Sequence, residues 1–254
     1  MRVITFAIQK GGTGKTSTAV SVAVEFAEKG KKVVVIDADP QGNATTWIGI
    51  EEISFEFADV LMKKCEVQQS IVQTKIDNLS FLPTASINGN LKLYSKTLAN
   101  ESPFAVRQCL KKIKDNYDYC IIDTSPAFGA LEESCFLASD EAIPVLKLDE
   151  FSKEGLVSFL SNIESMQERY DTDKPKMNKI VLNGQDLRLV QQHSILQEIE
   201  QSTNSKLFII PTDTAFSKAQ SVHYPVQYLD STKRKTLDVI KELTSAICNE
   251  ETEN

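Results

Sequence analysis

The amino-acid sequence predicts an α/β fold: a single domain with a doubly wound, mostly parallel sheet and helices on both faces. Two observations predict it. Short, continuous apolar runs recur along the chain, as in parallel strands that are covered on both sides. Between these runs lie stretches with apolar residues at helical spacing, so strands and helices alternate as in βαβ units. No internal repeat or linker interrupts the 254 residues, and we expect residues 1–254 to form one domain.

The strands are predicted from apolar runs. The run at 33–36 consists of β-branched residues only, which is typical of a parallel strand that is buried on both faces. In a later run, Pro144 cannot donate a hydrogen bond to a neighbouring strand, so we expect it near a strand end or a bulge. The predicted strands cover residues 3–8, 33–36, 79–83, 117–123, 141–148, 179–183 and 207–210.

The helices are predicted where apolar residues recur every three or four positions. The first ends at Lys29 and Gly30, because a glycine commonly terminates a helix. Lys111, Lys112 and Lys114 indicate the solvated face of another helix. Residues 249–254 form an acidic tail that we expect to be frayed. The predicted helices cover residues 15–28, 57–62, 88–98, 104–114, 151–166, 190–199 and 231–247.

The composition is that of an ordinary soluble protein, with 41% hydrophobic and 25% charged residues. No apolar run approaches the roughly 18–20 residues of a membrane span, and no signal-peptide pattern occurs. The five cysteines form no C-x-x-C pair, and no His/Cys cluster suggests zinc. The net charge of −7 disfavours a broadly basic DNA-coating protein but leaves room for a local basic patch. We therefore expect a cytoplasmic protein without a membrane partner.

Residues 6–17 combine the end of a predicted strand, a glycine-rich turn and the start of a helix. In this order the three elements form a phosphate cradle, because glycines let backbone N–H groups converge on anionic oxygens and the helix dipole adds positive potential. Lys15 would reach the outer phosphates, and the Thr16 hydroxyl would ligate Mg²⁺. Further contacts would come from the loop residues Gly11, Gly12, Thr13, Gly14 and Ser17.

The loop departs from the pattern G-x-x-x-x-G-K-[ST] at its first position, where Gln9 replaces glycine. A second lysine, Lys10, stands directly before the glycine pair. Lys10 cannot easily serve the same phosphates as Lys15. It therefore either points to solvent or reaches a nucleotide that another molecule holds.

Acidic residues follow two other predicted strands. Asp37 and Asp39 come directly after the run at 33–36, and ligands of open α/β sheets bind at such strand ends. These two carboxylates could orient water or join the shell of a metal ion, or they could cap an Asp-Pro turn. Asp123 ends the run at 117–123. After a phosphate loop, this pattern predicts an acid that holds the water shell of Mg²⁺.

The segment Lys10-Gly-Gly-Thr-Gly-Lys-Thr16 resembles the deviant Walker A box of the ParA/MinD family of P-loop ATPases. The resemblance covers almost the whole chain in four boxes, and residues 47–100 are its weakest part. It implies a homodimer that sandwiches ATP, in which Lys10 touches the partner's nucleotide and Asp39 positions the attacking water. Lys10, Lys15 and Asp39 would then be the catalytic residues, and residues 47–100 would be a variable region that faces other partners.

The resemblance also implies roles for three later regions of the chain. Thr124, Ser125, Pro126 and Gly129 would form switch II, although the family usually has two prolines where this chain has Ser125 and Pro126. Base contacts would come from Asn183, at the end of a strand, and from Pro211 and Asp213 in the next loop. From the residues alone, Asp213 could as easily cap the helix that follows it.

The function implied by the resemblance is slow, Mg²⁺-dependent ATP hydrolysis that drives partition of a plasmid or chromosome. The ATP dimer would bind DNA non-specifically on the nucleoid, and a ParB-like partner would stimulate hydrolysis and release. Binding of this kind needs cationic side chains near phosphates. Candidates are Arg188, Lys218, Lys233, Arg234 and Lys235, although each alone also fits a solvated surface residue.

Two other functions of this family stay open. One is an ATPase that positions a protein assembly instead of DNA. The loop after Pro211 has Thr212 and Ala215 where chromosomal ParA proteins often carry arginines, which favours this alternative. The other is a membrane-surface ATPase like MinD, which needs a basic amphipathic helix at its C-terminus. The acidic tail at 249–254 disfavours it.

Overall fold

The structure is a computed structural model that describes residues 1–150, 152–186 and 189–249. In these ranges the strands are β1 (Arg2–Ala7), β2 (Val33–Ala38), β3 (Val72–Gln73), β4 (Leu79–Leu82), β5 (Tyr119–Thr124), β6 (Glu141–Lys147), β7 (Lys179–Gln185) and β8 (Lys206–Pro211). They form one sheet in the order β3-β4-β2-β5-β1-β6-β7-β8. Every neighbouring pair is parallel except β3 and β4, which confirms the predicted doubly wound sheet.

Helices cover both faces of this sheet. They are α1 (Lys15–Glu28), α2 (Asn43–Trp47), α3 (Phe57–Leu61), α4 (Val67–Ser70), α5 (Leu91–Thr97), α6 (Ala105–Lys111), α7 (Ala130–Ala138), α8 (Ser152–Tyr170), α9 (Val190–Ser202), α10 (Ala215–Ser221) and α11 (Arg234–Asn249). Strand β3 and helices α2, α4 and α7 go beyond the sequence-based prediction. Within the described ranges, no helix combines the length and hydropathy that a membrane span requires.

The side chains of β2 alternate between two cores. Val33 and Val35 pack with residues of α1 and α11, whereas Val34 and Ile36 pack with residues of α3, α5 and α6. All four side chains are fully buried. Burial of one such side chain stabilises the folded state by about 1.5–3 kcal/mol, so an apolar residue is favoured on both faces of this strand. This explains why the run contains no polar alternation.

Pro144 lies in the middle of β6, not near a strand end as the sequence predicts. It pairs with Ala7 at the last position of the β1–β6 ladder. The β6–β7 ladder begins at the next residue, where Val145 pairs with Val181. The proline therefore stands at the junction of two ladders, where a missing N–H is tolerated much as it is at a strand end.

Candidate nucleotide-binding site

The phosphate loop and the predicted acids meet at one edge of the sheet. Strands β2, β5 and β1 are adjacent and parallel, so their carboxyl ends lie side by side. Asp37 in β2 is directly opposite Asp123 in β5, and Phe6 in β1 is opposite the same Asp123. The strand order reverses here, which is where open α/β sheets bind ligands.

A cavity of about 430 Å³ opens at this edge, which is a typical volume for a small-molecule site. It contains the whole predicted phosphate loop together with Asp39. It also contains four polar or aromatic side chains from α2, α10 and the turn before α2 that the motifs did not indicate. The lining residues are Gly11, Gly12, Thr13, Gly14, Lys15, Thr16, Ser17, Asp39, Gln41, Asn43, Trp47, Pro126, Asn183 and Gln220.

Two glycines of the loop have backbone conformations that suit no other residue well. Gly12 and Gly14 have φ angles of 70° and 94°, in the left-handed region. Gly14 directly precedes α1, and a Cβ atom there would lie 2.0 Å from Nδ2 of Asn183. Asn183 donates a hydrogen bond to the Thr13 carbonyl at 3.1 Å. The close approach of β7 to the loop thus depends on the missing side chain of Gly14.

Lys15 extends back across the mouth of the loop. Its side chain is nearly buried, and its ammonium donates to the backbone carbonyl of Lys10 at 2.9 Å. Burial lowers the pKa of Lys15, while the carboxylates of Asp123 and Asp39 act in the opposite direction. A partly desolvated cation beside two acids is well suited to an additional anion such as a phosphate.

Asp123 has the surroundings expected of a cation ligand. It is fully buried, and neither carboxylate oxygen has a hydrogen-bond partner among the described residues. Burial raises its pKa well above the usual value, the charge of Asp37 adds to this, and the Thr16 hydroxyl opposes it. Buried charges are normally paired or bound to metal, and oxygen ligands suit Mg²⁺.

The described residues contain no cluster of His, Cys, Asp and Glu that would hold a metal by itself. Mg²⁺ does not need such a cluster, because it keeps several waters and commonly takes one or two protein oxygens together with substrate phosphates. Thr16 and Asp123 therefore fit Mg²⁺ that arrives with a nucleotide, with Asp39 in reach of its water shell.

The two acids at the carboxyl end of β2 make different contacts. Asp37 is fully buried and accepts hydrogen bonds from the Thr45 amide at 2.8 Å and the Thr45 hydroxyl at 2.7 Å. Burial raises its pKa to about 7, against the effect of these hydrogen bonds. Asp39 accepts from the Gln41 amide at 2.9 Å through one oxygen and also lines the cavity. The turn-capping alternative thus holds for Asp39 without excluding a role in the cavity.

Lys10 does not simply point to solvent. Its ammonium lies 2.7 Å from both carboxylate oxygens of Asp149, just beyond the end of β6. About a third of each side chain is exposed, so the pair sits at the rim of the site. Asp149 has no motif around it in the sequence, and only its place after a strand at this edge of the sheet could have indicated it.

Asp213 has the contacts of a capping residue. One oxygen accepts from the Ala215 amide at 3.0 Å, at the start of α10. The other accepts from the Lys233 amide at 2.9 Å and the Thr236 hydroxyl at 2.7 Å, at the start of α11. Burial would raise the pKa of Asp213, but these hydrogen bonds hold it below its usual value. Neither Asp213 nor Pro211, which ends β8, lines the cavity.

Most of the cationic DNA-binding candidates lie together at the start of α11. Lys233, Arg234 and Lys235 are exposed there, and the Lys233 ammonium bonds the carbonyl of Thr212. Lys218 is exposed on α10. Arg188 lies outside the described residues, as does the acidic tail from residue 250 onwards.

Comparisons with known proteins agree with this geometry. A family model described as an AAA domain matches residues 1–179. The sporulation initiation inhibitor protein Soj of Bacillus subtilis is 31% identical over 252 residues, covering 96% of this chain and 98% of Soj. The chromosome partitioning protein ParA of Caulobacter vibrioides is 29% identical over 236 residues, covering 91% of this chain and 88% of ParA.

Solved structures share the fold at lower identity. A complex of Cyanothece McdA with ATP has a TM-score of 0.87 at 18% identity and covers 98% of this chain and 96% of its own. Cobyrinic acid a,c-diamide synthase from Mycobacterium smegmatis, with bound ADP and magnesium, has a TM-score of 0.82 at 23% identity over 99% and 96%. On the strength of the family model and of Soj, this chain belongs to the AAA-domain family, within the ParA/MinD group of P-loop ATPases that includes Soj and ParA.

Proposed function

We propose that this chain is a Mg²⁺-dependent ATPase that partitions DNA by forming an ATP-bound dimer. The dimer binds DNA non-specifically on the nucleoid, in the cytoplasm, and a ParB-like partner stimulates hydrolysis and release. The observation that carries the proposal is a glycine-rich phosphate loop that lines the cavity together with the buried Lys15, near the buried carboxylate of Asp123, for which the described residues provide no hydrogen-bond partner.

Several residues at or beside the cavity have tasks in phosphoryl transfer, which depends on positioning and charge neutralisation. The amides of residues 11–17 bind phosphate oxygens, and Lys15 neutralises the outer phosphates. Thr16 and Asp123 hold Mg²⁺, which neutralises the charge that develops on the phosphates. Asp39 accepts a hydrogen bond from the attacking water with the oxygen that is not engaged by Gln41.

The dimer part of the proposal rests on Lys10. Its side chain lies at the rim of the site and is paired with Asp149, which is itself about one-third exposed. Exchange of this surface pair for the phosphates of a second copy's nucleotide costs little, because exposed ion pairs contribute only about 0–1 kcal/mol. Base contacts by Asn183, Pro211 and Asp213 belong to the same proposal. Asn183 already lines the cavity.

The DNA part rests on the relationship to Soj and ParA and on the cations at the start of α11. A helix N-terminus and three adjacent cationic side chains suit the phosphate backbone of duplex DNA. Lys218 and Arg188 are further candidates. A cargo other than DNA is the second proposal, favoured by the net charge of −7, by Thr212 in the loop after β8 and by Ala215 at the start of α10.

We predict ATP-dependent retention of the protein on duplex DNA of arbitrary sequence, measured by filter binding from 50 to 200 mM salt. Removal of three cations by Lys233→Ala, Arg234→Ala and Lys235→Ala should weaken binding about tenfold or more and lower the salt dependence. The matched control replaces Lys111, Lys112 and Lys114 on and after α6, and should bind like wild type.

Lys15→Ala provides the nucleotide control, since it should bind neither ATP nor DNA. If the wild-type protein hydrolyses ATP but is not retained on DNA at low salt, the DNA proposal is wrong. The second proposal, a cargo other than DNA, would then take its place. Equal losses in both triple variants would mean that the start of α11 is not the DNA-binding surface.

A further inference from the structure

The loop after β5 borders the nucleotide cavity and is held at both of its ends. We call residues 125–129 the β5–α7 loop. Pro126 lines the cavity, and Pro126 and Ala127 are exposed, whereas Ser125 is buried. Ser125 stands only two residues beyond Asp123, the proposed Mg²⁺ ligand, so the loop starts beside the position of the terminal phosphate of a bound triphosphate.

One side chain of α7, Glu132, connects the two ends of this loop. Its Oε1 accepts a hydrogen bond from the hydroxyl of Ser125 at 2.5 Å, and its Oε2 accepts from the amide of Gly129 at 3.0 Å. Glu132 and Ser125 are 4% and 8% exposed, so water does not compete effectively for the contact between them, whereas Gly129 is exposed. A buried carboxylate with both oxygens engaged is a rigid support.

The helix that carries Glu132 is itself fixed to its neighbours. The next residue, Glu133, lies 3.0 Å from the guanidinium of Arg169 in α8. The following residue, Ser134, accepts a hydrogen bond from the Val106 amide in α6 at 3.2 Å. The Glu133–Arg169 pair is partly exposed and contributes little, so the Ser134 contact and the buried side chains of α7 give the carboxylate of Glu132 its position relative to the sheet.

An aromatic contact supports the loop near its second end. The ring of Phe128 stacks on that of Phe136 in α7 with centroids 5.3 Å apart, and meets the ring of Phe159 in α8 edge-on at 6.4 Å. Pro126 and Ala127 are therefore exposed between anchored neighbours, although Gly129, whose amide bonds Glu132, is exposed as well. Loss of Glu132 would remove both polar anchors at once.

We propose that Glu132, acting through Ser125 and Gly129, is a positioning residue that fixes the β5–α7 loop against the terminal phosphate of a nucleoside triphosphate. The inference rests on the proposed function, since it concerns the nucleotide site of that proposal. Glu132 touches neither nucleotide nor metal ion. It sets the place of the loop backbone and of Pro126, on which the geometry of the reacting phosphate depends.

The test compares steady-state ATP hydrolysis of wild type, Glu132→Ala, Ser125→Ala and Glu132→Gln. Glu132→Ala should lower kcat about tenfold and raise KM by no more than about fivefold, because small displacements at a reacting centre reduce rate more than binding. Ser125→Ala should lower kcat in the same direction. Glu132→Gln should retain most of the rate, since its amide can accept from Gly129 and donate to Ser125.

Glu133→Ala is the matched control, because it removes the neighbouring acid and its surface ion pair without touching the loop. It should leave kcat unchanged. Thermal melting establishes that each variant is folded, and Ser125→Ala decides the question if Glu132→Ala does not fold. A folded Glu132→Ala or Ser125→Ala that keeps wild-type kcat would overturn the inference, as would a Glu132→Gln as slow as Glu132→Ala.

A second measurement does not depend on turnover. Binding of fluorescent analogues of ADP and of non-hydrolysable ATP is compared, and Glu132→Ala should lose about fivefold in affinity for the triphosphate analogue while binding the diphosphate normally. If the wild-type protein binds both analogues but never hydrolyses ATP, the ATPase proposal is wrong. The ratio of the two affinities, compared between wild type and Glu132→Ala, would still decide the role of Glu132. Equal losses for both nucleotides would contradict that role.

Discussion

Asp39 combines two contacts that would ordinarily be assigned to different residues. One oxygen supports the turn through the Gln41 amide, while the side chain lines the cavity that holds Lys15. A residue with both contacts can stabilise the loop in the resting protein and still accept a hydrogen bond from water. We therefore expect its removal to affect turnover without removing the phosphate loop.

For Asp39→Ala we expect ATP binding within about threefold of wild type and hydrolysis reduced by about 100-fold or more, because positioning of the attacking water is lost. Nucleotide affinity by calorimetry and phosphate release by a coupled assay would show this separation. Asn43→Ala, which changes another polar residue of the cavity, is the control. If Asp39→Ala hydrolysed ATP at the normal rate, a group other than Asp39 would have to position the attacking water.

At the scale of single residues, motifs predicted groups that the structure brings together at or beside the cavity, and failed for groups whose contacts are with other residues. Lys15, Thr16, Asp39 and Asp123 follow from local spacing. The pairing of Lys10 with Asp149 joins positions 139 residues apart and has no local pattern. The same is true of Glu132, whose partners become apparent only when α7 is placed beside β5.

At the scale of secondary-structure elements, a fully buried ion pair between Glu141 and Lys179 joins β6 to β7. Their charged groups lie 2.7 Å apart, at 1% and 2% side-chain exposure, and Arg2 from β1 reaches the other oxygen of Glu141 at 2.9 Å. Three adjacent strands are therefore connected at the edge of the sheet opposite the cavity. Removal of one partner leaves a buried charge with less compensation.

Glu141→Gln should lower the free energy of unfolding by about 3–5 kcal/mol, the usual cost of breaking a buried ion pair. Urea unfolding followed by circular dichroism measures it. The matched control is Glu198→Gln, which breaks an exposed pair with Lys153 and should cost less than about 1 kcal/mol. A similar, small effect in both variants would mean that the sheet relaxes around Lys179.

Helices α1 and α11 pack together around an acid that is only partly compensated. Glu25 in α1 is buried, one of its oxygens has no hydrogen-bond partner among the described residues, and Lys29 lies 3.6 Å from the other. Burial raises the pKa of Glu25, whereas Lys29 and Lys241 lower it and Glu28 raises it. The native state therefore holds the Glu25 proton more tightly than the unfolded chain.

A raised carboxyl pKa makes the native state bind more protons, so stability falls as pH rises above the unfolded value of 4.5. We expect Glu25→Gln to remove this part of the pH dependence. The free energy of unfolding of the variant, minus that of wild type, should increase between about pH 4 and pH 7. Glu200→Gln, at an exposed position in α9, should leave the profile unchanged. A constant difference across this range would contradict the assignment.

The element least accessible to prediction was α7. It has buried residues on several sides, including Glu132 and Ser134 beside Leu131 and Cys135, so its apolar residues show no single helical face. It also begins after Gly129 without a side-chain cap. By contrast, α1 and the seven longer strands were predictable. The sheet is covered on both faces, so its strands have continuous apolar runs, and α1, which packs on it, has regularly spaced apolar residues.

For the whole molecule, the face that carries the cavity also carries Lys10. We predict that Asp39→Ala forms a dimer with ATP and Mg²⁺, observed as a doubled mass in light scattering. Adding Lys10→Ala to that variant should return it to a monomer, because the partner's phosphates lose a cation. The control is Lys153→Ala in the same background, which changes an exposed lysine of α8 and should leave the dimer intact. A dimer that survives Lys10→Ala would place the interface elsewhere.

The outermost strands of the sheet bear on how concentrated protein behaves. At one end, β3 is only two residues long and antiparallel to its neighbour; at the other, β8 starts with lysine and finishes with proline. Short borders, lysine and proline all discourage a foreign strand from adding to a sheet. When many copies of the protein lie close together, we therefore do not expect them to join edge to edge into amyloid-like fibrils. Any larger assembly should form through contacts between side chains on the protein surface.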